Sequence, residues 1–482
     1  MLLKHFTIAL ICFLFTSLSY GQTTWSLAKC IQYAQQNSLS VKQGQNQIEQ
    51  AQLSEQEARF SRYPSINSTV QGGINFGRTI DPTSNSFINE SVITNSLGIN
   101  AGVTLYNGGR IRNQIEQSKI NVDAAEAANE QIKNDLALSV AASYLQILLD
   151  QEQLVNAKNR LAQTEAQLKQ TDRLIRAGTL PEADRLEVLA SLARDEQTIV
   201  TQENAVEISY LNLKNLLQIN PAEEIKIEKI DKLEVPADAN PDAVVLTQVY
   251  DRAIANQPFI RADQARLSSA NLDTEIAKSL GLPVVSLFGN INSFYSNQVL
   301  DFNDITVPGV LEPSISQPVI IGGIDTDLQF FQTIGTEFAN RKYFDQLNDN
   351  FGQSLGLNVS IPIYNQAQTR IAKERAQLNI LNTQITAQQN KQQLKTDIQR
   401  AIANARANKK QFEASEKTVS ALDLAYINTE KRYKLGAVNT FEYTTAKNNL
   451  DQAAINLIIA KYNYLYSLQI LDFYQGKRLE LK

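Results

Sequence analysis

The sequence predicts a mixed α and β membrane protein with two internal repeats, each joining a pair of strands to a long helical hairpin. Three observations carry this expectation. The alternating stretch Leu97–Tyr106 returns as Leu355–Tyr364, and the pairs Tyr106/Tyr364 and Gly178/Gly436 are both 258 residues apart. An offset held from strand to turn marks one structural unit used twice. The stretch Arg110–Arg176 has neither Pro nor Gly, which at ~1.5 Å per residue predicts a helix about 100 Å long. Beyond a short leader, no apolar run approaches ~18 residues, so any passage through a membrane falls to β-strands, whose signal is weaker.

Residues 1–21 read as a cleaved secretory signal. Lys4 and His5 precede an apolar run, Phe6–Leu18, and Ser19 and Gly21 supply small residues ahead of Gln22. The run is too short to span a bilayer, and no Cys stands at the cleavage site to take a lipid. Cleavage removes the chain's one His and one Met and leaves one of two Cys, Cys30. A single Cys forms no internal disulfide. Losing His removes the commonest general base and metal ligand; carboxylate-only catalysis stays open, but an enzyme is not expected and no catalytic residue, metal or cofactor is assigned. The formal net charge of −5 over the whole chain argues against a nucleic-acid partner.

The first repeat is expected over 22–218, a linker over 219–245, the second repeat over 246–474 and a tail over 475–482. From Ser26 to about Arg62, Leu27, Ile31, Ala34, Leu39 and Leu53 follow a helical pattern, which Pro64 stops. Ile66, Val70, Ile74 and Phe76 then share one face of a strand, with Asn67, Thr69, Gln71 and Asn75 on the other. Arg78–Asn95, containing Asp81-Pro82 and Ser84-Asn85-Ser86, reads as a loop. In the strand from Leu97 the odd positions are apolar and the even ones small or polar through Thr104, and Asn107-Gly108-Gly109 closes it. On the next helix Ile147, Leu154, Leu161, Leu168 and Ile175 recur every seven residues. Leu192, Ile199, Val206 and Leu213 do so on the return helix, which predicts coiled-coil packing.

Pro221, Pro236 and Pro241 mark the linker. Leu246, Ala253, Asn256 and Pro283 lie 219 residues after Leu27, Ala34, Asn37 and Pro64 and open the second copy, with Val284–Phe294 as the third strand. The offset grows from 219 to 258 before the fourth strand, so an insertion of 39 residues lies within 295–352. Its Pro, Gly and Asp content reads as a long loop. Phe412, Val419, Tyr426 and Tyr433, then Leu450, Leu457, Tyr464 and Leu471, keep the heptad register of the first copy.

Four strands of ~9–11 residues each could cross a bilayer, yet an open sheet edge in lipid leaves N–H and C=O groups unpaired at several kcal/mol each. Four strands cannot close alone, since the smallest such barrels have about eight. Two protomers would give a barrel filled by its own side chains, and three would give 12 strands and a lumen. A trimer of cyclic symmetry is the economical expectation. Leu97, Ile99, Val103 and Leu105 would face lipid, and Gly98, Asn100, Gly102 and Thr104 the lumen. Tyr63, Phe76, Tyr106, Tyr295 and Tyr364 fall near strand ends, where an aromatic girdle lies. A soluble half-buried sheet alternates in the same way; the helices of ~100 Å favour the channel over it.

The duplicated order of helix, Pro, strand, loop, strand and helical hairpin resembles the TolC-like outer-membrane efflux protein family over nearly the whole chain after the leader. The paired turns, Arg176-Ala177-Gly178-Thr179-Leu180-Pro181-Glu182-Ala183-Asp184 and Lys434-Leu435-Gly436-Ala437-Val438-Asn439-Thr440-Phe441-Glu442, add to the likeness. The resemblance implies a homotrimer in the bacterial outer membrane, with a 12-stranded β-barrel continuous with an α-helical coiled-coil barrel in the periplasm. It also implies a periplasmic adaptor, an inner-membrane pump of RND or ABC type, contact with outer-membrane lipid, and passive conduction of what the pump delivers. The function expected is therefore the channel-tunnel of a tripartite efflux or type I secretion system. The alternative is a non-channel coiled-coil adaptor or structural protein of the periplasm or cell surface.

In such a family the hairpin tips form the entrance and dock the adaptor, which assigns Gly178, Thr179, Leu180, Gly436, Ala437 and Val438 to docking. Gly is favoured where a helix ends with φ > 0, and Thr179 with Glu182, like Asn439 with Glu442, resembles a capping box. The resemblance places Glu442 on the first position of an acidic ring at the aperture and Thr445 on the second, where the acid is missing. It places Asp184 and Tyr433 on a latch pair, and Val438 where the latch has a basic residue. The bland reading of Asp184 and Glu442 is that acids in a first helical turn favour the helix dipole.

Overall fold

The computed structural model describes residues 24–80, 85–89, 91–228, 235–236, 240–321, 324–334, 337–477 and 479; the expected leader lies outside them. Ser26 opens the first helix, α1 (Leu27–Asn37), its hydroxyl accepting from the Lys29 N–H. The sequence reads one helix from Ser26 to Arg62, but the structure has two, because Ser38 adopts an extended ψ of 132° before α2 (Leu39–Phe60) begins. Gln257, 219 residues on, makes the same break between α5 (Leu246–Asn256) and α6 (Pro258–Ser279), so the break is itself part of the repeat.

Four strands form the main antiparallel sheet: β1 (Ser65–Asn75), β4 (Val92–Tyr106), β5 (Val284–Ser296) and β10 (Gly352–Ser360), in the spatial order β1-β4-β5-β10. β4 starts five residues earlier than the Leu97 expected, and β10 stops at Ser360 rather than Tyr364. Pro362 has no N–H to give a ladder, which accounts for the early stop. Directly opposed residues share a face, so the register settles both surfaces of the sheet. Ile66, Ala101, Gly289 and Leu355 form one row of the first face, and Ser68, Ile99, Ile291 and Gln353 the next. On the other face Asn67, Asn100, Asn290 and Ser354 are neighbours. One face is predominantly apolar and the other is mostly polar or glycine, as the alternation predicted for β4, but β5 brings Phe288 and Phe294 onto that second face. Leu355, Leu357, Val359, Ile66, Val70 and Ile74 are all exposed.

The strand ends carry smaller elements. β2 (Thr79–Ile80) pairs with β3 (Phe87–Ile88), within the stretch expected to be a loop. The insertion at 295–352 corrects its reading more fully. It holds β6 (Leu300–Val307), β7 (Val310–Ile321), β8 (Ile324–Ile334), β9 (Glu337–Asn340) and a short helix, α7 (Tyr343–Asp349). β6 pairs with β9 and β7 with β8, each as a two-stranded sheet. Pro313 and Pro318 weighed for a loop, but in a two-stranded ribbon every strand is an edge strand, which tolerates proline.

The long helices are α3 (Arg110–Arg176), with the bounds expected, α4 (Glu182–Leu217), α8 (Gln368–Lys434) and α9 (Thr440–Tyr474). The chain packs as two compact units that cut across the sequence repeats. One unit takes Glu55–Glu116 and Leu272–Ala376; the other takes the described residues of Met1–Ser54, Gln117–Asn271 and Gln377–Lys482. The helical unit has two cores at repeat-related places. In the first, Leu27, Cys30 and Ala34 pack with Val140, Tyr144, Ile147, Leu213 and Leu217. In the second, Val249 and Ala253 pack with Ile260, Leu394, Ile398, Ile402 and Leu471.

Toward the turns the heptad expectation needs correction. Ile147, Leu213, Tyr433, Tyr464 and Leu471 are buried, whereas Leu154, Leu161, Leu168, Ile175, Leu192, Ile199, Val206, Leu450 and Leu457 are only half-buried. The deepest row on α3 is instead Asp150, Ala157, Thr164 and Thr171, again one residue in seven. Helices approach most closely where side chains are small, so the small and polar row takes the seam and the leucines flank it.

Candidate functional site

Both hairpin turns close by the same backbone device. Gly178 has φ +74° and Gly436 φ +72°. At the first turn the Gly178 N–H reaches the Ile175 carbonyl at 2.9 Å and the Thr179 N–H reaches Leu174 at 3.0 Å. At the second, Gly436 reaches Tyr433 and Ala437 reaches Arg432, both at 2.9 Å. These paired bonds are Schellman closures that need a left-handed residue, which glycine supplies without strain. A Cβ at either glycine would meet nothing within 4 Å, so backbone conformation alone demands Gly there.

The two caps differ. Asn439 caps α9, its side-chain oxygen accepting from the Glu442 N–H at 2.8 Å, as expected. Thr179 does not cap α4. Pro181 holds the cap position, and the Thr179 hydroxyl donates back to the Leu174 carbonyl at 2.8 Å. The competing acceptor one turn back is closer to a threonine already bound into the Schellman closure.

Glu442 and Thr445 stand together on the exposed face of α9, three residues apart. Glu442 is paired across its own hairpin with Arg432 at 3.5 Å, both side chains half or more exposed. Tyr433 is buried: its hydroxyl lies 3.2 Å from Thr440 Oγ1, and its ring stacks on Tyr443 at 4.7 Å. Tyr443 in turn shares a 2.9 Å hydrogen bond with Tyr426, and burial pushes the ionisation of both phenols upward. Among the described residues no hydrogen bond joins Tyr433 to Asp184, which sits half-buried in the first turn of α4. Val438 is half-buried, and Leu180 likewise. Leu435, Phe441 and Leu186 expose most of their apolar surface at the tips.

A polar cluster between the hairpins escaped the sequence reading. Arg160 on α3 pairs with Asp195 on α4 at 2.7 Å, and Thr164 Oγ1 donates to the second Asp195 oxygen at 2.6 Å. Lys447, from α9, donates to Thr164 Oγ1 at 2.8 Å and stands 3.7 Å from Asp451. Thr164, Asp195 and Lys447 are all more than nine-tenths buried. Burial lowers the Lys447 pKa and raises that of Asp451, against the pull of each on the other. A signal did exist. Lys447 lies seven residues after Thr440 and Asp195 seven after Val188, so both sit at heptad positions that a reading of apolar residues alone passes over.

A family model described as outer membrane efflux protein matches residues 30–217 and 336–477. Protein CyaE of Bordetella pertussis is 23% identical over 267 residues, which cover 54% of this chain and 53% of that protein. The pyoverdine export outer membrane protein OpmQ of Pseudomonas putida is 20% identical over 354 residues, 72% of this chain and 62% of that one. The chain thus spans between half and two thirds of the curated relatives it matches. The crystal structure of the outer membrane protein VceC from Vibrio cholerae superposes with a TM-score of 0.71 at 14% identity, covering 94% of this chain and 97% of that one. That likeness is one of fold.

Proposed function

We infer the function from one premise: the chain belongs to the outer membrane efflux protein family. Its place is accordingly the outer membrane. The chain is one third of a channel-tunnel, a homotrimer in which three copies of the sheet β1-β4-β5-β10 close a 12-stranded barrel and the long helices wall a periplasmic tunnel. Substrates pass through it without chemistry, delivered by a periplasmic adaptor and an inner-membrane pump of RND or ABC type in an efflux or type I secretion system. The observation that carries this reading is the sheet. It has an apolar face, a face mostly of Asn, Ser, Thr and Gly that also carries Phe288 and Phe294, and two open edges, at β1 and β10. In lipid such edges must be paired, and copies of the same sheet supply the partners.

The tips are the periplasmic entrance. Gly178, Thr179, Leu180, Gly436, Ala437 and Val438 set the turns that the adaptor grips, and the exposed Leu435, Phe441 and Leu186 supply its apolar contact. Glu442 contributes one charge per protomer to the aperture, and the neutral Thr445 adds none. Asp184 and Tyr433 belong to the closure of the entrance, with Arg432 supplying the cation that Val438 cannot. The test is single-channel recording of trimers in planar bilayers. The unmodified protein conducts, and Glu442→Gln lowers cation over anion permeability about twofold and weakens divalent block. Unchanged selectivity would remove Glu442 from the aperture, and absence of any conductance would remove the channel.

The lumen wall yields a second expectation. On the polar face Ser65, Gly102, Phe288 and Gly356 form one row. A Cβ on Gly356 would lie 2.6 Å from Phe288 Cζ, so the tip of the ring covers that glycine. Gly356→Ala lifts Phe288 off the wall into the lumen at an overpacking cost of about 1–3 kcal/mol. Conductance falls, and Phe288→Ala in the same chain restores it; equal conductance in all three would show the ring lies elsewhere.

A further inference from the structure

The strands of the main sheet differ in length at one end. β5 runs to Ser296, whereas β10 begins only at Gly352, opposite Asn292. Among the described residues, the edge of β5 from Ser293 to Ser296 therefore has no strand beside it on that side. Helix α7 and the residue after it take the place of the missing strand. Gln346 accepts from the Ser296 N–H at 3.0 Å and donates to the Ser296 carbonyl at 2.9 Å, which is the bonding a paired strand would give. Asn350 donates to the Phe294 carbonyl at 2.8 Å, and the Ser293 hydroxyl donates to the Leu347 carbonyl at 2.6 Å. Gln346 also donates to the Arg341 carbonyl at 2.9 Å, and Arg341 pairs with Asp301 and Asp349. The helix is thus fixed to the wall from several sides.

Its position relative to the two faces follows from the register. Asn95 and Tyr295 are opposed, two residues along from the opposed pair Leu97 and Ser293 and four from Ile99 and Ile291, so all share the apolar face. Tyr343 crosses onto that face: its hydroxyl lies 2.8 Å from Asn95 Oδ1, and its ring meets Tyr295 at 4.9 Å. Phe344 packs edge-on against Tyr343 and leaves 79% of its surface exposed. Lys342 beside it is exposed as well. Along β4, Asn95 stands eleven residues from Tyr106, or about 36 Å of strand, and a tilt of ~40° reduces that to a height of ~28 Å. The outward apolar band of a membrane barrel is ~25 Å tall between its aromatic girdles. With Tyr106 and Tyr364 at one border, Tyr295, Tyr343 and Phe344 fall at the other.

We infer that α7 is an interfacial anchor, a wall-mounted helix that sets Tyr343 and Phe344 in the headgroup boundary of the outer leaflet. This rests on the barrel reading of the sheet. The occupant of this surface is lipid, because the helix continues the apolar face and presents an aromatic step with a basic residue at its border, the composition suited to headgroups. Gln346 and Asn350 are the positioning residues: by completing the β5 edge they close the barrel wall where β10 falls short.

The test uses tryptophan as a depth probe in the full chain, whose one Trp, Trp25, supplies a background measured on the unmodified protein. Phe344→Trp and, separately, Leu357→Trp on the apolar face of β10 are reconstituted in vesicles of phosphatidylcholine brominated either near the headgroup or near the chain ends. The anchor predicts that Phe344→Trp is quenched about twofold more by the shallow bromines than by the deep ones, and Leu357→Trp the reverse. If Leu357→Trp is quenched by lipid while Phe344→Trp responds only to aqueous iodide, the anchor is overturned and the barrel stands. Deep quenching of both overturns the interfacial placement. If Leu357→Trp answers to neither lipid, the barrel reading fails and takes the anchor with it.

Discussion

Replacing Lys447 with Ala is expected to cost the folded protein about 3–5 kcal/mol, the usual penalty for removing one partner from a buried charge cluster. Thr164 loses the donor at 2.8 Å, and Asp451 loses the cation beside it. Arg160 and Asp195 stay paired, so the loss falls on the tie between the two hairpins. Replacing Lys447 with Met and Asp451 with Leu together should recover most of that stability, since apolar pairs often match or exceed the buried ion pairs they replace. The pH dependence gives a second readout. Asp451 has a raised folded pKa, so its contribution is complete below the ordinary carboxylate value and is lost as pH rises through the raised one. Lys447 has a lowered folded pKa, so its penalty is full in acid and is relieved as pH climbs from that value toward the ordinary lysine one. The double variant flattens both slopes. Thermal unfolding followed by helical circular dichroism measures all of this. A single variant as stable as the unmodified chain would mean the cluster ties nothing together.

Gln346→Leu is expected to be the most damaging single change in the sheet unit. Gln346 is 1% exposed and serves the Ser296 N–H, the Ser296 carbonyl and the Arg341 carbonyl at once. Leucine fills similar space and removes the buried bonds to the Ser296 N–H and carbonyl, at about 1–3 kcal/mol each, together with the part-buried one to Arg341. Gln346→Glu keeps the acceptor but sets a carboxylate against two carbonyl oxygens, so it should rescue nothing. Amide hydrogen exchange at Ser296 and proteolysis within 341–351 report the loss. Protection as strong as in the unmodified chain would show that α7 is held by other means.

How far the sequence discloses this molecule depends on how local each signal is. The bounds of α3 were legible because Gly109 and the Arg176-Ala177-Gly178 turn bracket 67 residues without a breaker. The faces of β1 and β4 were legible because the strand period is two. The break at Gln257 had a local sign in Pro258, which disfavours helix at the residue before it; the break at Ser38 had none, and only aligning the two copies would have carried it across. The ribbons of 300–340 were hidden because Pro313 and Pro318 count against a strand everywhere but at an edge. At the site, Gly178, Gly436 and the Asn439 cap were readable from local chemistry. Arg432 facing Glu442 depends on how the turn between them closes, and although heptad spacing marked Lys447 as inward-facing, its partner Thr164, 283 residues away, leaves no local trace.

Everything proposed for the sheet and the tips rests on three copies sharing one wall. Native mass measurement of the detergent-extracted protein tests this most directly, since each open edge of β1 and β10 must meet its counterpart on another copy. The account predicts a particle of three chains that survives mild detergent and dissociates only on heating. A stable single chain, or a two-chain particle, would leave the edges unpaired or the lumen filled, and would contradict it.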